Sequence, residues 1–285
     1  MVDFKNLKNP YFIGEIGINH NGDLQIAKKL IDAVFACNWD CAKFQKRNPD
    51  VCVPEHQKNN MRSTPWGEMT YIDYKHRIEF QKREYDYINK YCKEKPVDWT
   101  ASVWDFDSLE FLMKYDLPFL KLPSAVITHR ELVEECAKSG IPICISSGMS
   151  SLREVDEAVE SVSKFTDNFE LMHSNSSYPA PMEELNLSLI PFYKERYNCV
   201  VGYSGHEKLL EPTVTAVILG AKVIERHITL SHDLWGTDQS SSVEVVGMDI
   251  LYKRIRDIKS VLGTPEKKIT KSEFPIRKKL RGNVE

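Results

Sequence analysis

The sequence predicts an α/β protein of the (β/α)8 TIM-barrel class, folded as a single domain. Three observations predict it. Eight apolar runs of strand length recur between residues 12 and 229, helix-compatible stretches separate most of them, and polar residues gather where the runs end. Catalytic residues of such barrels come from several strand ends, so the clustering also says where to look.

The first run, residues 12–18, leads into the turn formed by Asn19, His20, Asn21 and Gly22. Asp23 is the expected N-cap of a helix reaching about Phe35. Alternation places Ile13, Glu15, Gly17 and Asn19 on one face. A glutamate in an apolar strand is costly unless paired or functional, so Glu15 is a candidate site residue, with a structural bond to a neighbouring strand as the plain alternative. The second run, 41–45, sets Cys41, Lys43 and Gln45 on one face, where Lys43 either pairs with Glu15 or meets an anion. Residues 47–70, with Pro49, Pro54, Pro65 and Gly67, read as a long irregular loop of the kind that serves as a lid. Residues 77–92 read as a charged outer helix.

Runs three to six cover 97–103, 119–123, 142–147 and 170–174, with helices at 108–114, 130–138 and 152–164. Asp107 or Ser108, and Ser150 or Ser151, are the expected N-caps. Near the run ends lie Thr100, Ser102, Lys121, Ser124, Ser146, Ser147, His173, Asn175, Ser176 and Tyr178, a density of polar groups that packing does not explain. Runs seven and eight, 200–204 and 223–229, flank a helix over 209–219, and His206 and His227 stand at their ends. A period of two pairs Ser204 with His206 and Glu225 with His227. An amphipathic helix over 245–261 follows. Residues 1–262 are thus the barrel, and 263–285 a basic tail carrying Lys267, Lys268, Lys271, Arg277, Lys278, Lys279 and Arg281.

Composition narrows the function. The formal net charge is −3 without an acidic or basic half, so a nucleic-acid partner is not expected. No apolar run is long enough to cross a membrane and the first residues lack a signal-peptide core, which predicts a cytoplasmic protein. Seven cysteines form no CxxC pair, so neither a disulfide framework nor a cysteine nucleophile is expected.

Lys43 and Lys121, with Ser124, Ser146, Ser204 and the glycines Gly148 and Gly205, compose a site able to hold phosphate and carboxylate together. One desolvated lysine acting as a Schiff-base nucleophile is the alternative. His206 and His227 can hold a divalent cation whose shell is completed by water and substrate oxygens; Mn²⁺ suits such a site best, with Mg²⁺ and Co²⁺ as substitutes. His232, in the following loop, is an outside candidate.

The stretches EIGINHNGD (15–23), AKFQ (42–45), KLPSA (121–125), ISSGMS (145–150), LMHSNSSYPAP (171–181), GYSGHE (202–207), ERHITL (225–230) and WGTDQSSSVE (235–244) are similar, in this order, to the N-acetylneuraminate synthase family of sialic-acid synthases. The resemblance runs from Pro10 to about Leu262. It implies a metal-dependent barrel synthase that condenses phosphoenolpyruvate with the open-chain aldehyde of N-acetylmannosamine or a related N-acetylated hexose, breaking a C–O bond and releasing phosphate. His206 and His227 would then be the metal ligands, with Lys43, Lys121, Ser124, Ser146 and Ser204 around phosphoenolpyruvate. Glu15 corresponds to the glutamate beside the reacting carbons, Gln45 joins the substrate-binding set, and Tyr178 and Asp238 match residues lining the acceptor site. A homodimer serving carbohydrate biosynthesis is implied as well.

Two positions depart from the family pattern: Val126 stands where a glutamate is usual, and Ser176 where an asparagine is. Many members also continue into an antifreeze-like domain that supplies an arginine to the partner's acceptor site. With residues 263–285 read as a tail, either a separate antifreeze-like subunit brings that lid or the acceptor is held differently. The main competing activity is a 3-deoxy-2-keto sugar acid synthase acting on a phosphorylated or non-acetylated aldose.

Overall fold

The computed structural model describes residues 1–282. In chain order its strands are β1 (Tyr11–Gly17), β2 (Cys41–Lys46), β3 (Met61–Thr64), β4 (Gly67–Thr70), β5 (Asp98–Val103), β6 (Leu120–Leu122), β7 (Ile143–Ser146), β8 (Phe169–Ser174), β9 (Val200–Gly205), β10 (Val223–Thr229) and β11 (Val243–Glu244). All except β3, β4 and β11 form one parallel barrel, closed by β10 pairing back onto β1. Helices Leu24–Ala36, Lys82–Glu94, Phe106–Leu112, Arg130–Lys138, Leu152–Ser163, Leu189–Tyr197, Glu211–Ile218 and Val245–Leu262 link the strands or follow the last. The predicted (β/α)8 barrel is the fold observed.

The strands are buried on both faces, and alternation sorts their side chains. One set, including Phe12, Ile16, Phe44 and Ile228, packs outward in the large core beneath the helices. The inward set begins with an apolar floor of Tyr11, Ile13, Cys41, Phe119, Cys144, Met172 and Val223, plugged from below by Phe4. Polar residues then occupy the next inward positions. Register makes this a layer: Glu15 lies opposite Lys43 on one side and His227 on the other, and Glu225 lies opposite Ser204.

Several local expectations need correction. Residues 47–70 are not irregular: Asn48 caps a short helix at Pro49–Cys52, a second turn covers Glu55–Lys58, and β3 and β4 form an antiparallel hairpin. The helix expected over 77–92 is two helices, Tyr71–Ile78 and Lys82–Glu94. The break falls where Glu79 turns inward to pair with Lys46 at 2.8 Å and Phe80 is buried, after which Gln81 restarts the helix with a capping box. The cap of Phe106–Leu112 is Asp105, not Asp107 or Ser108, and accepts from the Ser108 amide at 2.7 Å. Ser151 rather than Ser150 caps Leu152–Ser163. Helix Leu189–Tyr197 was not foreseen. Within the basic tail, Glu273–Arg281 is helical with no buried side chain, and the last three residues of that tail lie outside the described residues. All seven cysteines are free, and no helix among the described residues is long and apolar enough to cross a membrane.

Candidate active site

The carboxyl ends of the strands enclose a cavity of about 250 Å³ lined by Glu15, Lys43, Gln45, Lys121, Ser124, Ser146, Tyr178, Ser204, His206 and His227. Ten of the eleven residues singled out from sequence therefore meet in one space. The eleventh, Asp238, sits at the rim with its carboxylate 3.9 Å from Nδ1 of His227.

At the base, two lysines and two glutamates alternate. Lys43 pairs with Glu15, donates to Ser102 Oγ at 3.0 Å and lies 3.6 Å from Glu225; Lys121 lies 3.2 Å from the other oxygen of Glu225. Ser204 donates to Glu225 at 3.1 Å, and Gln45 to Glu15 at 2.9 Å. The foreseen Lys43–Glu15 pair is therefore real, without excluding an anion. Both carboxylates are buried, yet their proton affinities are pushed apart. Burial lifts Glu15 to about 7 against the pull of Lys43, whereas for Glu225 the charges of Lys121 and Lys43 overcome burial and hold it down to about 2. One acid thus sits near neutrality beside another that stays ionised, the separation that divides acid–base work between two like groups.

Gly17 explains why this layer can exist. It has φ +53, and a Cβ there would press among Glu15, Gln45 and His227. On the opposite wall Gly148 does the same for a serine cradle. Its amide donates to Ser124 Oγ at 3.0 Å, Ser174 Oγ lies 3.4 Å further on, and any side chain at this glycine would strike Ser124, Ser174 and Ser176.

Above the base, the rings of His206 and His227 lie 5.6 Å apart. Burial lowers both; His206 falls to about 4, with the neighbouring His227 adding to the effect, so the imidazoles are neutral at pH 7 and competent as ligands. Nδ1 of His206 donates to the Asn175 carbonyl, which leaves Nε2 as the lone-pair nitrogen; Tyr178 Oη donates to it from 2.9 Å. Nδ1 of His227 is buried with no hydrogen-bond partner. Two neutral imidazoles lining one polar cavity fit a cation that takes its remaining ligands from water and substrate. No cluster of three or more His, Cys, Asp or Glu residues among the described residues would complete a shell from protein alone.

A buried clamp sets these histidines. Glu207 and Arg226, the residues after His206 and before His227, pair at 3.0 Å with neither exposed, and Thr213, the Leu209 carbonyl and Tyr203 complete their bonds.

The remaining histidine candidate and the polar residues of the first turn have structural duties. His20 stacks on Phe80 at 3.9 Å and burial lowers it to about 3, while Asn21 ties the first turn to the Trp235 carbonyl at 2.7 Å. His232 is engaged with the Ser242 carbonyl at 2.7 Å and does not line the cavity. Val126 is buried in the core, so it supplies no acid. Sequence reasoning left Glu225, Trp104 and Ser174 out of the site. The alternation that selected His227 also selects Glu225, but Trp104 lies just past the end of β5, where periodicity is silent.

A polar layer beneath two neutral imidazoles, at the carboxyl ends of a (β/α)8 barrel, defines a barrel enzyme with its chemistry at the usual face. The profile of the NeuB family matches residues 30–267. The chain is 35% identical to human N-acetylneuraminate-9-phosphate synthase over 96% of its own length and 77% of the human chain. It is 34% identical to the N,N'-diacetyllegionaminic acid synthase of Legionella pneumophila, covering 96% and 79% of the two chains. Among solved structures, an N-acetylneuraminic acid (sialic acid) synthetase from Leptospira borgpetersenii superimposes with a TM-score of 0.84 at 29% identity, over 97% of this chain and 94% of that one. The chain belongs to the NeuB family, and it is an acid synthase.

Proposed function

We propose that this enzyme is a phosphoenolpyruvate-dependent nonulosonic acid synthase, condensing phosphoenolpyruvate with the open-chain form of N-acetylmannosamine or a related N-acetylated hexose. The observation that carries the reading is the alternation of Glu15, Lys43, Glu225 and Lys121 beside a serine cradle and below two neutral histidines. Two fixed cations and directed hydroxyls suit a small polyanion carrying both carboxylate and phosphate. The two relatives differ in whether the product they are named for carries a phosphate, so the acceptor's own phosphorylation is a separate question.

In the reaction, C3 of phosphoenolpyruvate attacks the aldehyde carbon, and positive charge develops at C2. Water adds to C2 with loss of a proton, and the C2–O bond to phosphate breaks, releasing phosphate. A divalent cation, Mn²⁺ foremost, held by His206 and His227 would supply a Lewis acid to the aldehyde. Lys43 and Lys121 hold the phosphoenolpyruvate charges, with Ser124, Ser146 and Ser204 setting their direction. Lys43 must then be shared between Glu15 and the substrate, which weakens the attraction that keeps Glu15 ionised and favours its protonated form. Glu15 can give that proton to the nascent alkoxide and, once ionised, face the charge at C2. Gln45 orients Glu15, while Tyr178 and Asp238 border the acceptor.

The test is phosphate release from phosphoenolpyruvate with Mn²⁺ and a panel of N-acetylated, diacetamido and non-acetylated aldoses, each product weighed by mass spectrometry. The reading expects release with an N-acetylated hexose and a product of nonulosonic acid mass. Loss of activity on chelation, and in His206→Ala and His227→Ala, should accompany it. Release confined to non-acetylated aldoses would overturn the substrate assignment.

A further inference from the structure

We propose that the segment spanning Arg47 to Lys75 builds a second anion site at the mouth of the barrel, which receives a phosphate monoester on the acceptor sugar at the carbon farthest from its aldehyde. The inference rests on the synthase reading above and names its substrate more closely. Three cations converge there: Arg47 directly after β2, Arg62 in β3, and Lys75 in helix Tyr71–Ile78. Arg47 and Lys75 are more than nine-tenths buried, and none of the three is ion-paired to a carboxylate among the described residues.

Their surroundings supply aromatic faces and donors instead of acids. The Arg47 guanidinium lies 4.2 Å over the ring of Trp104, a cavity-lining residue, and donates to Gln45, another. Arg62 and Lys75 lie 4.8 Å and 5.2 Å from the Tyr71 ring, and 5.5 Å and 5.4 Å from that of Tyr74. Arg47 Nε, Tyr74 Oη and Trp104 Nε1 are all buried donors without a partner. Buried donors that the chain leaves unsatisfied are uncommon, and three beside converging cations match the acceptor oxygens of a phosphate.

Two carboxylates stand near. Glu79 is occupied by Lys46 and by the Arg47 amide at 3.0 Å, and Asp238 lies beside His227. The cations are left in excess. Burial first, and then the adjacent Arg47, pull Lys75 down to about 8, with Asp238 and Glu79 offsetting only part of the effect. Through Gln45 and Trp104 on one side and Asp238 on the other, the cluster borders the cavity, where the far end of an acceptor would emerge once its aldehyde is seated by the histidines.

Kinetics with Mn²⁺ and phosphoenolpyruvate compare N-acetylmannosamine 6-phosphate with N-acetylmannosamine. The expected result is at least a tenfold higher kcat/KM for the phosphorylated sugar, with the ratio collapsing toward one in Lys75→Met and in the half-buried Arg62→Met. Preference for the neutral sugar, or an undiminished ratio in both variants, would overturn the anion site and leave the synthase reading standing. Should neither sugar turn over, that reading fails separately, and binding still decides this one. Titration of the wild-type protein with the sugar phosphate should change tryptophan fluorescence saturably, weakened by competing inorganic phosphate and by either substitution. No such change means no site.

Discussion

Two glutamates on adjacent strands set the electrostatics of this barrel floor. Glu15 and Glu225 share Lys43, but Glu225 also has Lys121 and Ser204, and this asymmetry sends one proton affinity up and the other down. Glu15→Gln keeps the hydrogen bond to Gln45 and removes the proton chemistry. It should lower kcat by about two orders of magnitude or more while changing the KM for phosphoenolpyruvate only a few-fold, since the role lies in the transition state. Steady-state kinetics check this; a large KM change with kcat intact would contradict it. Deeper in the barrel, burial raises Glu170 from its ordinary 4.5 to about 8, and neither of its oxygens is hydrogen-bonded. A raised acid holds its proton in the native state after the unfolded chain has lost it. Its contribution to stability is therefore complete below about pH 4.5 and falls as pH climbs to about 8. Glu170→Gln should flatten that part of the curve and, by pH 8, gain on the wild type by roughly a few kcal/mol. Thermal melts of both proteins at pH 5 and 8 measure the difference.

At the scale of elements, β9 and β10 are fastened from outside by Glu207 and Arg226, each next to a site histidine. Arg226→Met strands a buried carboxylate and should cost about 3–5 kcal/mol, while adding Glu207→Gln should recover part of it. Melting temperatures of the single and double variants decide, and if His206 and His227 hold the proposed cation, affinity for Mn²⁺ should weaken in parallel because the histidines lose their fixed neighbours. The same scale shows what could be read from sequence. The barrel strands were legible because they are apolar on both faces and polar only at their ends, so Glu15, Lys43, Lys121 and His227 announced themselves. Residues 47–80 were not, because their short helices depend on partners far away in the chain: Asn48 on Asp105, Lys46 on Glu79. Asp238 reached the candidate list only through family resemblance, since a loop residue has no period to betray it.

For the molecule as a whole, closure removes every free edge from the barrel, and the described residues beyond the helix Val245–Leu262 add no buried side chain to it. Helix Glu273–Arg281 buries no side chain against it. Truncation after Gly263 should leave the melting temperature within about 2 °C of the full chain, no more than the shift expected from about 1 kcal/mol in a protein of this size. Differential scanning calorimetry would show it.

The seam between β1 and β10 also governs when the enzyme becomes an enzyme. Glu15 and His227 face each other across the join of the earliest and latest barrel strands, so no half-barrel contains the whole of the proposed site. A chain still emerging during synthesis, or collapsed with its last strand undocked, has the floor in part and the catalytic layer not at all. Such distant pairings form late because ordering the intervening chain costs entropy before the contact repays it. Turnover therefore reports completed assembly, and any ligand that bridges the seam should hold the finished barrel shut.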